Sequence, residues 1–181
     1  SYTYGEKSKG LEVKALSGVS LTIEDGEIFG IIGKTGSGKT TFVQHLNGLI
    51  RVQKNAGRVI VGEYDLSDKK CDMKSLRAKI GMMFQYPEYQ LFAETVKDDV
   101  AFGIKNFFPN LGEKETEERV KTALNLVGLD YDRYKDKSPF ELSGGQKRRA
   151  AIAGVIVTRP EVLVLDEPAA GLDPVGKREF I

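Results

Sequence analysis

Gly33-Lys34-Thr35-Gly36-Ser37-Gly38-Lys39-Thr40 is the stretch that most narrows what this 181-residue chain can fold into. It fits G-x-x-x-x-G-K-[ST] in full. An apolar segment, Glu27–Ile32, leads into it and is expected to be a strand, and a helix is expected from Lys39 to about Leu49. Glycines at 33, 36 and 38 allow backbone conformations closed to other residues, so successive N–H groups can turn inward. The helix start adds its partial positive charge. A ligand that repays so many converging donors is a triphosphate. Lys39 would reach its β- and γ-phosphates, and the Thr40 hydroxyl would bind Mg²⁺. Thr35, Ser37 and Thr41 join Gly33, Gly36 and Gly38 as nucleotide-binding candidates.

Composition removes several other classes. Lys plus Arg is 27 and Asp plus Glu is 26, a net charge of +1, which argues against a nucleic-acid footprint. The single cysteine, Cys71, excludes an internal disulfide and fits a reducing compartment. The single histidine, His45, excludes a multi-histidine metal site; its place in the helix after the glycine loop predicts a packing role. No apolar run approaches the ~18 residues that span a bilayer. No basic-then-apolar leader opens the chain, so a soluble intracellular protein is expected.

Texture divides the chain. Up to about Phe84, Ala15–Ile23, Glu27–Ile32, Arg58–Val61 and Ile80–Phe84 read as strands, with Glu24-Asp25-Gly26 as a tight turn. From about Leu91 to Val157 the pattern is helical. Glu113–Gly128 puts Val120, Leu124 and Val127 on one face, and a second helix runs from Gly144 to Val157, ended by Arg159-Pro160. Val162–Leu165 is then an unbroken apolar run, as in a parallel strand buried on both faces. The expected fold is α/β, a sheet interrupted by a helical insert: a core over 1–86, a helical lobe over 87–158 and a return to the core over 159–181.

Asp166 and Glu167 follow that last strand directly. Ligands of open α/β sheets sit beyond the carboxyl ends of strands, so Asp166 is the Mg²⁺ candidate and Glu167 the base that polarises an attacking water. Leu142-Ser143-Gly144-Gly145-Gln146 opens the preceding helix with a serine cap and two glycines, a second anion site. One nucleotide does not need two phosphate cradles on one face, so this one would serve a nucleotide held by a second subunit.

With these residues in hand, the chain resembles the ATP-binding cassette (ABC) ATPases. L-S-G-G-Q is that family's signature, G-K-T-G-S-G-K-T its Walker A and V-L-V-L-D-E-P its Walker B. A-G-L-D-P (Ala170–Pro174) resembles its D-loop, and Gln85 in M-F-Q-Y-P matches its Q-loop. The resemblance implies a P-loop NTPase fold with an inserted helical subdomain. It implies ATP and Mg²⁺ as cofactors, in a head-to-tail dimer with two ATP between Walker A and signature. It also implies Lys39, Glu167 and Gln85 as catalytic residues, Gln85 as a further metal residue, and Ser143, Gly144, Gly145 and Gln146 on the nucleotide. The resemblance also implies that Tyr4 stacks on the adenine, with Tyr2 as the alternative.

Phe84–Gly103, Gln44–Leu49 and Ser138–Arg149 are similar to the ATPase subunits of energy-coupling factor (ECF) transporters. That implies uptake of a vitamin or transition-metal ion, and a second ATPase subunit as a homodimer or paralogous heterodimer. It further implies a transmembrane scaffold, a membrane substrate-binding subunit, no nucleic acid, and a peripheral place on the cytoplasmic face of the membrane. Tyr86–Phe92 would present an aromatic groove to the scaffold's cytoplasmic helices. Ala169 stands where the family commonly has Thr. The family's switch histidine lies on a strand beyond the D-loop, so this chain is expected to be a fragment, truncated at both ends and impaired in hydrolysis. A soluble ABC ATPase of DNA repair or translation, another ABC importer, and a GTPase or small-molecule kinase are the competing readings. The last lacks an N-K-x-D string and has no use for L-S-G-G-Q.

Overall fold

A computed structural model describes residues 1–5 and 12–170. The chain forms two compact units, Ser1–Leu76 and Arg77–Ile181. In the first, β1 (Tyr2–Tyr4) pairs antiparallel with β2 (Val13–Leu16), Tyr4 opposite Val13 and Tyr2 opposite Leu16. α1 (Lys39–Leu46) begins at the end of the glycine loop. β3 (Ile60–Val61) and β4 (Tyr64–Asp65) close a hairpin across a two-residue loop, where Gly62 takes a positive φ as such turns require. α2 (Met73–Lys79) starts on Asp72, whose carboxylate accepts from the Lys74 and Ser75 amides.

The second unit is built on a parallel pair. β5 (Ile80–Met83) runs beside β6 (Val162–Leu165), Ile80 opposite Val162 and Met83 opposite Leu165. Parallel strands need a long crossover, and here the crossover is the helical lobe: α3 (Val96–Phe107), α4 (Glu113–Leu126), the single turn α5 (Tyr131–Tyr134) and α6 (Gly144–Ile156). Each start has a local cause. Thr95 caps α3 by accepting from the Asp98 amide, and Asp130 caps α5 by accepting from Arg133. The Thr95 hydroxyl and then Lys105 hold the Asp98 carboxyl below the ordinary carboxylate range. Its contribution is therefore complete above that range and lost as pH falls through the lowered value.

Apolar positions at helical spacing meet in one core: Val96, Val100 and Ile104 from α3, Val120 and Leu124 from α4, Ala150 and Ala153 from α6, with Leu129 and Leu142 between. α3 and α6 cross closely because Gly103 and Gly154 lie at the crossing. A Cβ on Gly103 would stand 3.0 Å from the Thr158 methyl.

α1, α3, α4, α6 and the last strand fall where the sequence predicts, within a few residues, whereas α2 lies in a stretch for which no helix is expected. Two expectations fail. The segments Ala15–Ile23 and Glu27–Ile32 are not strands beyond Leu16; residues 17–38 carry no strand, and Ile28 and Ile32 are 100% and 98% exposed. A strand persists on ladder partners and a covered face, and among the described residues this segment has neither. Likewise β6 is parallel but not buried on both faces: Val164 is buried, whereas Val162, Leu163 and Leu165 are exposed. Its ladder has one neighbour, β5, among the described residues.

Leu124 is fully buried in the lobe core. Leu124→Ala should lower the stability of the lobe by about 2–5 kcal/mol in chemical denaturation of the full-length protein; a change near zero would contradict the packing described.

Candidate functional site

The glycine loop is set by two backbone constraints. Gly36 and Gly38 have φ of 81° and 93°, and Gly38 is the N-cap of α1. A Cβ on Gly38 would lie 2.4 Å from the Ala15 carbonyl oxygen, so both conformation and space require glycine there. Gly33 is less confined: a Cβ would come 2.6 Å from Ser37 Oγ, which a turn of the serine side chain could relieve. The Ser37 amide donates to the Lys34 carbonyl at 3.1 Å, and Phe42 N donates to Gly38 O at 2.8 Å, which starts the helix. Lys39 Nζ reaches back over the loop to Gly33 O (2.9 Å) and Lys34 O (3.2 Å). The ammonium thus sits over a turn of exposed backbone, with Thr35 and Thr40 exposed beside it.

Thr41 is buried in the first turn of α1 and shares a 3.2 Å hydrogen bond with the Tyr4 hydroxyl. The Tyr4 ring meets Tyr2 edge-on at 4.9 Å, and Tyr2 meets His45 at 4.8 Å. His45 is buried with Nδ1 2.7 Å from Thr41 O, the packing role expected of it.

In the second unit, two acids follow directly on the carboxyl end of β6 and differ in exposure. Asp166 is buried, and its amide extends the ladder by donating to Met83 O at 2.9 Å. Glu167 is exposed and accepts from Gln85 Nε2 at 2.9 Å. The carboxyl ends of β5 and β6 therefore bring Gln85 and Glu167 together. Glu167 holds a φ of 49°, a left-handed conformation that non-glycine residues seldom adopt. The turn behind it is closed by Ala170 N donating to Glu167 O at 2.9 Å.

That turn is held by a residue that sequence reasoning missed. Arg148, 4% exposed, donates through Nη1 to Ala170 O at 2.8 Å and through Nη2 to Pro168 O. A buried guanidinium needs acceptors in place of water; these two carbonyls serve its Nη atoms, while Nε is buried with no partner among the described residues. In the sequence Arg148 is one of three successive cations and nothing marks it as the buried one. The D-loop segment beyond Ala170 lies outside the described residues.

Ser143 to Gln146 form the start of α6. The Ser143 hydroxyl accepts from the Gln146 amide at 3.4 Å, and Gln146 Oε1 accepts from Ser143 N at 3.0 Å, a complete capping box. Gly144 and Gly145 have ordinary negative φ, and a Cβ on either would meet nothing within 4 Å. The chain itself therefore has no need of glycine here. What glycine supplies is an unobstructed approach to the free N–H groups of a helix start.

The sequence pattern of the ABC transporter family matches residues 16–170. The chain belongs to that family. It is 56% identical over 170 residues to an energy-coupling factor transporter ATP-binding protein, EcfA2, of Clostridium tetani, covering 94% of this chain and 58% of the relative. To the EcfA2 of Symbiobacterium thermophilum it is 59% identical over 168 residues, 93% of this chain and 57% of the relative. The chain thus spans a little over half the length of these curated relatives. Among solved structures, cbiO1 from Clostridium perfringens, part of the ABC transporter complex cbiONQ, superposes with a TM-score of 0.80 at 41% identity, covering 98% of this chain and 67% of that one. The ATP-binding cassette MJ0796, solved as a dimer in a post-hydrolysis state with ADP and Pi, superposes with a TM-score of 0.82 at 28% identity, over 98% and 75%. These likenesses establish the α/β cassette fold that the motifs imply.

Because Gly38 has both a positive φ and no room for a methyl group, Gly38→Ala in the full-length protein should weaken triphosphate binding more than about tenfold in a titration. Wild-type affinity would contradict the role given to the loop.

Proposed function

We propose that the full-length protein is the ATP-binding and ATP-hydrolysing subunit of an ECF-type ABC transporter, powering uptake of a vitamin or transition-metal ion. One observation carries the reading: the start of α6 is rigidly capped yet lined by two glycines the chain does not need for itself. Such a turn suits an anion brought by another molecule. The names of the EcfA2 relatives and of cbiO1 support the transporter assignment.

The division carried forward is a core over 1–86, a lobe over 87–158 and a return over 159–181. The loop fits a nucleotide triphosphate: Gly36 and Gly38 hold positive φ, a Cβ at Gly38 would strike the Ala15 carbonyl, and Lys39 Nζ lies over the bare backbone of the turn. Its residues Gly33, Thr35, Gly36, Ser37, Gly38, Lys39, Thr40 and Thr41 would bind the phosphates, with Tyr4, tied to Thr41, for the adenine. Among the described residues no group of three or more His, Cys, Asp or Glu could form a metal site. That suits Mg²⁺, which binds through few protein ligands and the phosphates themselves. Thr40, Asp166 and Gln85 would hold it, and Mg²⁺ would neutralise phosphate charge. Lys39 stabilises the γ-phosphate. Glu167 takes a proton from the attacking water, and its contact with Gln85 fixes its carboxylate. Ser143–Gln146 grip the nucleotide of a second ATPase subunit. ATP then touches both faces only when the dimer is closed, so binding favours closure.

Tyr89 is 84% exposed, and Tyr86, Phe92 and Phe102 are exposed beside the sheet end that carries Gln85. Phe92 and Phe102 meet edge-on at 4.9 Å. This aromatic surface would receive cytoplasmic helices of the membrane scaffold, which works with a membrane substrate-binding subunit. No helix among the described residues is long and apolar enough to cross a membrane, in keeping with peripheral attachment at the cytoplasmic face.

Lys39→Ala in the full-length protein should lose ATP binding, whereas Glu167→Gln should bind ATP and accumulate as a closed dimer by gel filtration. Normal turnover by Glu167→Gln would remove it from the base role. Unchanged ATP affinity of Lys39→Ala would refute the loop assignment.

A further inference from the structure

The signature turn is braced from behind by a residue that lies outside every motif. Gln146 uses both ends of its amide. Oε1 accepts from Ser143 N at 3.0 Å, and Nε2 donates to the Tyr134 hydroxyl at 3.1 Å. With one end tied to the backbone it caps and the other tied to Tyr134, the glutamine has one place to sit. Tyr134 itself is fixed. It is 9% exposed, and its amide donates to Asp130 O at 3.1 Å. Cations of the neighbouring residues flank its ring, Arg133 at 5.4 Å and Lys137 at 4.9 Å from the centroid. The strand of chain after it is stitched to the start of α3 by Lys97 N donating to Lys135 O at 3.0 Å and Val96 N to Lys137 O at 2.9 Å.

A phenylalanine would bury the same ring. What the hydroxyl adds is its bond to the half-buried Gln146, whose amide N–H, left without that acceptor, would turn toward water. We propose that Tyr134 is a positioning residue for the signature turn: its hydroxyl sets the Gln146 side chain, and through it the Ser143 backbone, in the geometry that receives the second subunit's nucleotide. The proposal rests on the dimeric ATPase reading and adds to it the residue that shapes the receiving turn. Tyr134 touches no reacting atom and acts only through Gln146. Its effect belongs to closure of the dimer and not to nucleotide capture by the glycine loop.

That separation supplies the test. Full-length protein with its second ATPase subunit is titrated with ATP in the Glu167→Gln background, and the ATP concentration at half-maximal dimer is measured. Tyr134→Phe should raise it about three- to tenfold, the scale of one neutral hydrogen bond. ATP affinity of the separated subunit should not change, and its melting temperature should fall by no more than about a few degrees. In a Gln146→Met background, Tyr134→Phe should add nothing, because its route is already removed. A half-maximal concentration equal to the parent's, or an equal shift with and without Gln146, overturns the proposal. So does a fall in melting temperature accompanied by loss of single-subunit ATP affinity, which marks a purely structural role. A parent that never dimerises with ATP removes the dimeric reading itself, and the proposal with it.

Discussion

Helix starts, whose first N–H groups lie outside the intrahelical ladder, are the resource on which this molecule is organised. α1 and α6 each supply such a start, and the sequence treats the two differently. At α1 the glycines are needed by the backbone, since Gly36 and Gly38 adopt positive φ and Gly38 lies against the Ala15 carbonyl. At α6 the cap is made by Ser143 and Gln146, and Gly144 and Gly145 are there only to stay out of the way. The first arrangement wraps a ligand; the second presents a flat, preorganised end to one held elsewhere. Preorganisation matters because donors already in place need no rearrangement when charge arrives.

The acids are arranged with the same economy. Just past β6 Asp166 is buried and Glu167 exposed, so one carboxylate is shielded while its neighbour meets Gln85. Glu167 sits in a left-handed conformation that persists only when its surroundings insist on it. Arg148 supplies that insistence by tying the turn at Pro168 and Ala170 to α6. The helix that begins with Ser143–Gln146 therefore also anchors the turn that carries Glu167.

What could be read from the sequence follows from how local each signal is. α4 and α6 are legible because their apolar residues recur at helical spacing and their ends carry Gly128 and Arg159-Pro160. The serine cap of α6 is legible because caps act over three residues. β6 is legible as a strand but not in its burial, because burial depends on which strands flank it. Glu27–Ile32 has strand composition and no strand partner among the described residues, so its apolar side chains stand in solvent. Arg148 was hidden in a run of three cations, and Tyr134 twelve residues before the glutamine it holds. Neither contact has a spacing rule; the first depends on how α6 meets the turn after β6, the second on how it meets α5.

The central claim is that two separate helix starts, from two subunits, hold one triphosphate. It is tested most directly by a nucleotide-bound structure of the full-length protein with its second ATPase subunit and a non-hydrolysable ATP analogue. The account predicts the Ser143 hydroxyl and the Gly145 amide within hydrogen-bond distance of the γ-phosphate seated on the other subunit's glycine loop. A closed, active complex in which Ser143–Gln146 face solvent or their own subunit would contradict it.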